Sequence, residues 1–429
     1  MKKRTFKIVF ASLVLGSVFT ITSCKKEDTT PANETPTVVG KNEVVKSGEI
    51  TKNQTWYADS VYYLSGKVIV KGGAQLTIQP GTIIKGKEGN GTTASALIIT
   101  RGCKIIAEGT ADKPIIFTSE LDNITKGQKI GTNLTKTDNQ KWGGLIILGN
   151  APISATNGNT ESSIEGIPAG DGSALYGGNN ATDNSGVLNF VSIRHGGAAI
   201  AEGNEINALT LGGVGSGTRI ENIEIYATLD DGVEFFGGTV NTKNLLVYYQ
   251  GDDGIDIDQN YSGTVEDFMV VQGNGIATDK GLEIDGPEGV TNTAGLFILK
   301  NGILKTEGTE GIPADFKDKA QGTVENLTFE YASAASKDIK IRANFDAVNS
   351  CATKTDAYTN LTSGTPKLIF INNKLGVAKA KVYTASTCTA SLTATEQTNA
   401  ESKITNGSGY TIVASTFSWT CAGIRGELK

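Results

Sequence analysis

Acidic residues recur in this chain at a spacing that could bring carboxylates together. Asp230-Asp231-Gly232-Val233-Glu234-Phe235 is echoed by Asp252-Asp253-Gly254-Ile255-Asp256-Ile257 and again by Asp279-Lys280-Gly281-Leu282-Glu283-Ile284. From Asp231 to Asp253 is 22 residues and from Asp253 to Lys280 is 27. Asp258 and Asp285 extend the second and third copies. Two kinds of chemistry use such a set. Oxygen-rich clusters suit a hard divalent cation such as calcium, and paired carboxylic acids hydrolyse glycosidic bonds. A plainer reading stands beside them, in which Asp-Gly simply makes good turns and the remaining acids are solvated. The candidate metal-binding or catalytic residues are Asp231, Glu234, Asp252, Asp253, Asp256, Asp279 and Glu283, and calcium is the one cofactor the sequence suggests.

Other machinery is scarce. His195 is the single histidine, so neither a Ser/His triad nor a multi-histidine zinc site is available. Beside Gly196-Gly197 it reads as a turn residue. Tyr248, Tyr249 and Tyr261 lie on the acidic repeats, and Trp56, Tyr62 and Tyr63 near the start. Strand alternation turns only one of Tyr248 and Tyr249 outward, so these rings read as packing in the core or under a loop rather than as a sugar platform.

The acids must be positioned by short strands. Runs such as Lys67-Val68-Ile69-Val70, Ala96-Leu97-Ile98-Ile99 and Leu145-Ile146-Ile147-Leu148 alternate with Gly, Asn and Asp from about residue 48 to 345. Glycine is frequent (53) and proline rare (9), which suggests many turns with positive φ. The repeat length matches one rung of a parallel β-helix, roughly 20–25 residues, and not a propeller blade of ~40–50. The fold class is therefore all-β, a solenoid over residues 48–345. Val233, Ile255 and Leu282, then Phe235, Ile257 and Ile284, should stack inward, with Glu234, Asp256 and Glu283 stacked outward. Rungs ~4.8 Å apart would make those carboxylates repel unless water, a basic side chain or a cation offsets them. Residues 346–429 read as final coils and a cap. Four cysteines besides Cys24 allow three pairings, with Cys351–Cys388 the preferred disulfide and Cys103 a buried thiol.

Several phrases resemble a known family. Gly81-Thr82-Ile83-Ile84-Lys85-Gly86, Ile106-Ala107-Glu108-Gly109-Thr110, Pro114-Ile115-Ile116-Phe117-Thr118 and Trp142-Gly143-Gly144-Leu145-Ile146 occur in order. Val191-Ser192-Ile193-Arg194-His195-Gly196-Gly197 and Asp231-Gly232-Val233-Glu234-Phe235-Phe236-Gly237-Gly238 follow. Together they resemble Bacteroidetes surface lipoproteins with a right-handed parallel β-helix, which implies the fold and little chemistry. Polygalacturonase-type glycosidases also place aspartates on consecutive rungs, as Asn-Thr-Asp, Asp-Asp, Gly-His-Gly and Arg-Ile-Lys. Here Asp231 and Gly251-Asp252-Asp253 are similar to the first two. Gly273-Asn274-Gly275 lacks the histidine and no Arg-Ile-Lys follows. A lyase of this fold would need a basic residue beside calcium, for which Arg194 and Arg219 are the candidates.

The N-terminus carries an address. Lys2, Lys3, Arg4 and Lys7 precede an apolar run from Ile8 to Phe19 that is too short to span a membrane, and Ile21-Thr22-Ser23-Cys24 resembles a lipobox. Residues 1–23 then form a signal peptide, Cys24 is lipidated, and residues 24–47 are a flexible tether. Lys25, Lys26, Glu27 and Asp28 resemble the surface-export signal of the same lipoproteins, so the expected location is the outer membrane, facing the exterior. Cleavage removes four positive charges and no acids, taking the net charge from −6 to −10. That excludes nucleic acid as a default partner and suits a glycan. Two functions follow as expectations: a non-enzymatic surface protein that binds glycan or adheres, or a calcium-assisted polysaccharide hydrolase or lyase.

Overall fold

The apolar runs become strands, and the strands coil. The computed structural model describes residues 42–164, 167, 172–201, 204–308, 311–331, 338–345, 354–384 and 392–428, all within one unit, Thr37–Lys429. They form a parallel β-helix of three sheets. One sheet takes Gln75–Ile78, Lys104–Glu108 and the first halves of long strands such as Arg219–Thr228, Asn241–Gln250 and Thr264–Gln272. The second takes their second halves. The third stacks Ala96–Ile99, Leu145–Leu148, Leu209–Gly212, Val233–Phe236, Ile255–Asp258, Lys280–Ile284 and Ile312–Phe316, all parallel. No helix among the described residues is long and apolar enough to cross a membrane.

The expected inward columns are present. Leu97, Leu145, Leu209, Val233, Ile255 and Leu282 stand in register, as do Phe235, Ile257 and Ile284, and all are buried in one continuous core. Each such side chain contributes ~1.5–3 kcal/mol by leaving water.

Two local devices hold the rungs. Where a long strand bends between sheets, its corner residue adopts positive φ: Asn222 (54°), Asn244 (55°), Asp267 (56°), Asn301 (58°) and Asn326 (55°). Asn tolerates this conformation, and its amide also links rungs. Asn244 Nδ2 donates to Asn222 Oδ1 at 3.0 Å and Asn301 Nδ2 to Asp267 Oδ1 at 3.1 Å. The glycines of the acidic repeat serve a different end from the one expected. Gly232 and Gly254 are not among the positive-φ residues. A Cβ at Gly232 would lie 2.4 Å from Val247 Cγ1 and 2.5 Å from the Gly254 carbonyl, and Gly254 meets the same obstruction from Val270 and Gly281. Close packing between rungs, not a turn, demands glycine there.

The last rung uses Leu368–Ile371 and Lys379–Thr384, beyond residue 345, and the helices Ala357–Thr362 and Ala394–Glu401 pack against the final strands. The chain then runs back along the second sheet. Buried Glu224 accepts hydrogen bonds from the Cys421 and Ala422 N–H groups at 2.8 and 3.0 Å, about 200 residues away in sequence. This return strap covers the ring stack of Tyr226, Tyr248 and Tyr249. Both Tyr248 and Tyr249 are buried, so neither offers a sugar platform.

Candidate functional site

The acidic repeats land on the third sheet as three adjacent rungs. Glu234, Asp256 and Glu283 are register partners, and the column continues to Asp315. At the corner before these strands, Asp231 Oδ1 accepts the Asp253 N–H at 2.9 Å and Asp253 Oδ1 accepts the Lys280 N–H at 2.8 Å. Asp231 and Asp253 therefore hook each rung to the next. Far from being solvated, Asp231, Glu234, Asp253 and Asp256 are buried, while Asp252 is exposed and the Asp279 side chain is about half exposed, at 47%.

What neutralises these acids differs along the column. Lys280 Nζ lies 2.6 Å from Asp279, 3.3 Å from Glu283 and 3.5 Å from Asp253. Lys317 Nζ lies 2.5 Å from Glu283 and 3.3 Å from Asp285, and Arg342 holds Asp315 through two nitrogens. Among the described residues no ion pair reaches Asp230, Asp231, Glu234, Asp256 or Asp258. Glu234 accepts a short hydrogen bond from Asn207 Nδ2, and Asp256 Oδ1 is buried without any partner.

The proton affinities follow this division only in part, because Asp253 and Asp285 are raised although each faces a lysine. Burial, then the neighbouring carboxylates, drive Asp231, Glu234 and Asp256 well above the usual carboxylate range. Burial, Asp252 and Glu205 push Asp230 up to about 7. Burial and Glu283 push Asp253 up to about 10, and burial and Asp258 push Asp285 up to about 9. Burial would raise Glu283 as well, but hydrogen bonds with Asp253 and Lys317 and the charge of Lys280 outweigh it and hold Glu283 at about 2.

A cleft of about 410 Å³ opens over the two unneutralised rungs. Its floor is Thr210, Asp230, Asp231, Glu234 and Asp252, with Asn207 and Gln259 beside them. Its wall is the antiparallel pair Glu161–Ser163 and Leu175–Gly177, which brings Tyr176 over Phe236 with ring centres 5.7 Å apart. The Tyr176 hydroxyl donates to Gln259 Oε1 at 3.2 Å. No Lys, Arg or His lines the cleft among the described residues. Asp230, Asp231 and Asp252 bring carboxylate oxygens within 4.8 Å of one another, as do Asp231, Asp253 and Asp256, and Glu234, Asp256 and Asp258.

Other expectations fall elsewhere. Arg194 is buried on the second sheet, its Nε donating to Ser192 and facing Glu224 at 3.8 Å. Arg219 pairs with Glu108 on the first sheet, so neither arginine joins the acids. His195 has positive φ (61°), and burial first, against the Asp138 carbonyl, lowers it to about 4, which keeps it neutral. Cys103 is a buried free thiol, and Cys421 is another, raised by burial to about 11. Cys24, Lys25, Lys26, Glu27, Asp28, Cys351 and Cys388 lie outside the described residues. Sequence reasoning missed Asn207, Tyr176, Phe236 and Lys317. Lys317 follows a strand without an Asp-Gly signature, and the hairpin carrying Tyr176 is an insertion between rungs, so only the third dimension brings them to the acids.

Comparison with known proteins agrees with this architecture. The model of the pectate-lyase-like β-helix domain family matches residues 48–420. Searches of curated proteins and of solved structures each returned no match. A parallel three-sheet coil in register over the same span, together with that match, assigns the chain to the pectate-lyase-like β-helix domain family.

Proposed function

We propose that this protein captures glycan in the cleft over the acidic rungs, without cleaving it, from an outer-membrane position set by a lipid on Cys24. The cleft itself carries the reading. It offers an apolar, aromatic side in half-buried Phe236, backed by the buried ring of Tyr176, and a polar floor in Asn207, Thr210, Asp230 and Asp252. Carbohydrates present both kinds of surface, and binding sites pair apolar area with a few placed polar groups. Elimination chemistry needs a base to take the proton beside a uronate, and the cleft's described lining supplies no arginine or lysine. The N-terminal lipobox and the Lys25–Asp28 cluster support the location.

Hydrolysis is the second reading, and one observation favours it. Asp230 and Asp252 share the cleft floor with Asp231, their oxygens within 4.8 Å, and Asp230 titrates near 7, where a general acid works. A panel of neutral and acidic polysaccharides separates the two. Capture should give retention on immobilised glycan and no new reducing ends, with retention lost in Phe236→Ala. New reducing ends that vanish in Asp252→Asn would replace capture by hydrolysis. For the location, Cys24→Ser should move the protein from the membrane to the soluble fraction, and surface proteolysis of intact cells should reach the unmodified protein.

A further inference from the structure

We infer that the bare outer face of the first sheet is a dimer interface, on which a second copy of this chain lies antiparallel to the first. The two-fold axis runs parallel to the strands and passes between the Lys243 and Glu266 rungs. The inference goes beyond glycan capture and does not rest on it.

The three sheets differ in what covers them. On the second, the outward column through Arg194, Tyr226 and Tyr248 is buried. Lys129 of the preceding loop and Glu427 of the returning chain end bond to it there. On the third, Glu234 and Asp256 are buried as well. On the first, every outward side chain from Ile106 and Glu108 to Ile369 and Ile371 is half-buried or exposed. Ile298, Ile369 and Ile371 are 38%, 41% and 44% exposed. Large aliphatic side chains gathered on one uncovered face mark a contact surface.

Charge decides what fits that face. Its outer column reads Glu221, Lys243, Glu266, Lys300 and Glu325 on five successive rungs, alternating in sign. Such a column matches itself when it is turned end for end about an axis between two rungs. With the axis between Lys243 and Glu266, Lys243 faces the partner's Glu266 and Glu221 faces the partner's Lys300. By symmetry each contact occurs twice. Lys243 and Glu266 of the two copies then form a ring of four charges, alternating in sign. Further out, Ile298 comes over the aliphatic stem of the partner's Arg219, and Ile369 over the partner's Ile106. An axis on a rung sets like on like: at Glu266, Lys243 would face the partner's Lys300, and Glu221 the partner's Glu325. An axis along the solenoid lays the charged column over the neighbouring one, where Arg219 is the one charge, and pairs it with Glu221 alone.

Size sets the strength. The face spans eight rungs, from Lys104–Glu108 to Leu368–Ile371. At ~4.8 Å per rung and ~13 Å of strand across, it offers about 500 Å² per copy, or about 1,000 Å² for the pair. That is the lower limit for a specific interface. A groove of about 450 Å³ lies over the four central rungs, on the proposed axis, and keeps water between the charges. The association is therefore weak, with a Kd on the order of 10 µM, and in dilute solution each chain stands alone with this face solvated.

Sedimentation equilibrium and small-angle scattering test this on the full chain carrying Cys24→Ser, which keeps lipid out of the measurement. Between about 1 and about 300 µM, dimer should build up, thicker than one chain but hardly longer. Raising salt from ~0.05 to ~0.5 M should weaken it at least about tenfold. Lys243→Glu and Glu266→Lys each bring like charges together at the axis and should abolish the homodimer. Mixed with each other, the two variants should pair again to within about tenfold of the wild type, because each supplies the sign the other lacks. Both chains remain net acidic, so overall charge does not explain such pairing. Both positions reach solvent, so each variant should melt within about 2 °C of the wild type. Protein that stays a single chain at every concentration would overturn the inference. So would a dimer that both single variants retain, a mixture that fails to pair, or a dimer about twice as long as one chain. Phe236 and its cleft lie on another sheet, so glycan retention and this association can fail separately.

Discussion

Two stretches of one acidic column solve the same electrostatic problem differently. On the Glu283 and Asp315 rungs each buried carboxylate meets a lysine or arginine, and Glu283 stays ionised. Glu234 and Asp256 themselves have no such partner among the described residues, and they hold on to protons. Both stretches have the same register and the same inward apolar columns, although Pro313 stands on the Asp315 rung where Gly232, Gly254 and Gly281 stand on the others. The backbone therefore does not make the difference. What differs is the set of side chains that neighbouring rungs bring to the column, and the cleft opens beside Glu234.

Breaking the neutralised half should give the largest effect. Lys280→Met removes a cation that faces Asp253, Asp279 and Glu283 and is itself only 12% exposed. Leaving buried acids without their partner costs about 3 kcal/mol. Chemical denaturation should show that loss at pH 7.5, and it should shrink as the pH falls and the acids protonate. An unchanged midpoint would mean that the two halves are not electrostatically different.

Titration sharpens the contrast next. In metal-free protein Asp230, Asp285 and Asp253 titrate in the fold near 7, 9 and 10, against an ordinary value of 3.8. The folded state thus binds more protons than the unfolded chain between about pH 4 and pH 10, and stability must fall as pH rises through that window. Glu283, held at about 2, works the opposite way, but only below its ordinary value of 4.5. The protein without metal should be more stable at pH 5.5 than at pH 8 by at least about 2 kcal/mol, the share of Asp230 alone. A stability that rises from pH 5.5 to 8 without metal would contradict the raised proton affinities of these three acids.

A ladder without charge supplies a control of smaller size. Asn244→Ala puts alanine at φ 55° and deletes the hydrogen bond to Asn222, which should cost about 1–2 kcal/mol at every pH and with or without calcium. Thermal melts across pH would reveal any slope, and a slope would tie this corner to the acids after all.

Much of this was legible in the sequence, and the limits are physical. The 22- and 27-residue offsets told the rung, and alternation told which side chains face inward, because both follow from local backbone geometry. The asparagine corners were not read from the sequence: Asn222, Asn244, Asp267, Asn301 and Asn326 each precede an apolar residue or glycine at rung-like spacing, but one residue per rung is a thin signal. The difference between Asp253 and Lys280 at equivalent positions was visible as letters. Its meaning was not, since it depends on Lys317 one rung further on and on burial by a hairpin inserted some sixty residues earlier. Burial, the quantity that turns an acidic turn into a site, comes from insertions and from the returning chain end, which periodicity does not encode.

The smallest effect lies on the first sheet, and it tests whether a ladder of charge matters without burial. There Glu221, Lys243, Glu266 and Lys300 are register partners on successive rungs, each acid beside a base. Lys243 Nζ lies 3.3 Å from Asp267 and 3.9 Å from Glu266, yet its side chain is 47% exposed. Water already screens these charges, so Lys243→Ala should change stability by no more than about 0.5 kcal/mol. Lys243 and Lys280 both face more than one acid across adjacent rungs, and they differ mainly in access to solvent. If their losses were equal, charge alternation alone would explain the neutralised half and burial would explain nothing. A loss several times smaller at Lys243 would mean that the lysines of the third sheet matter because the hairpin and the neighbouring strands keep water from the acids they face.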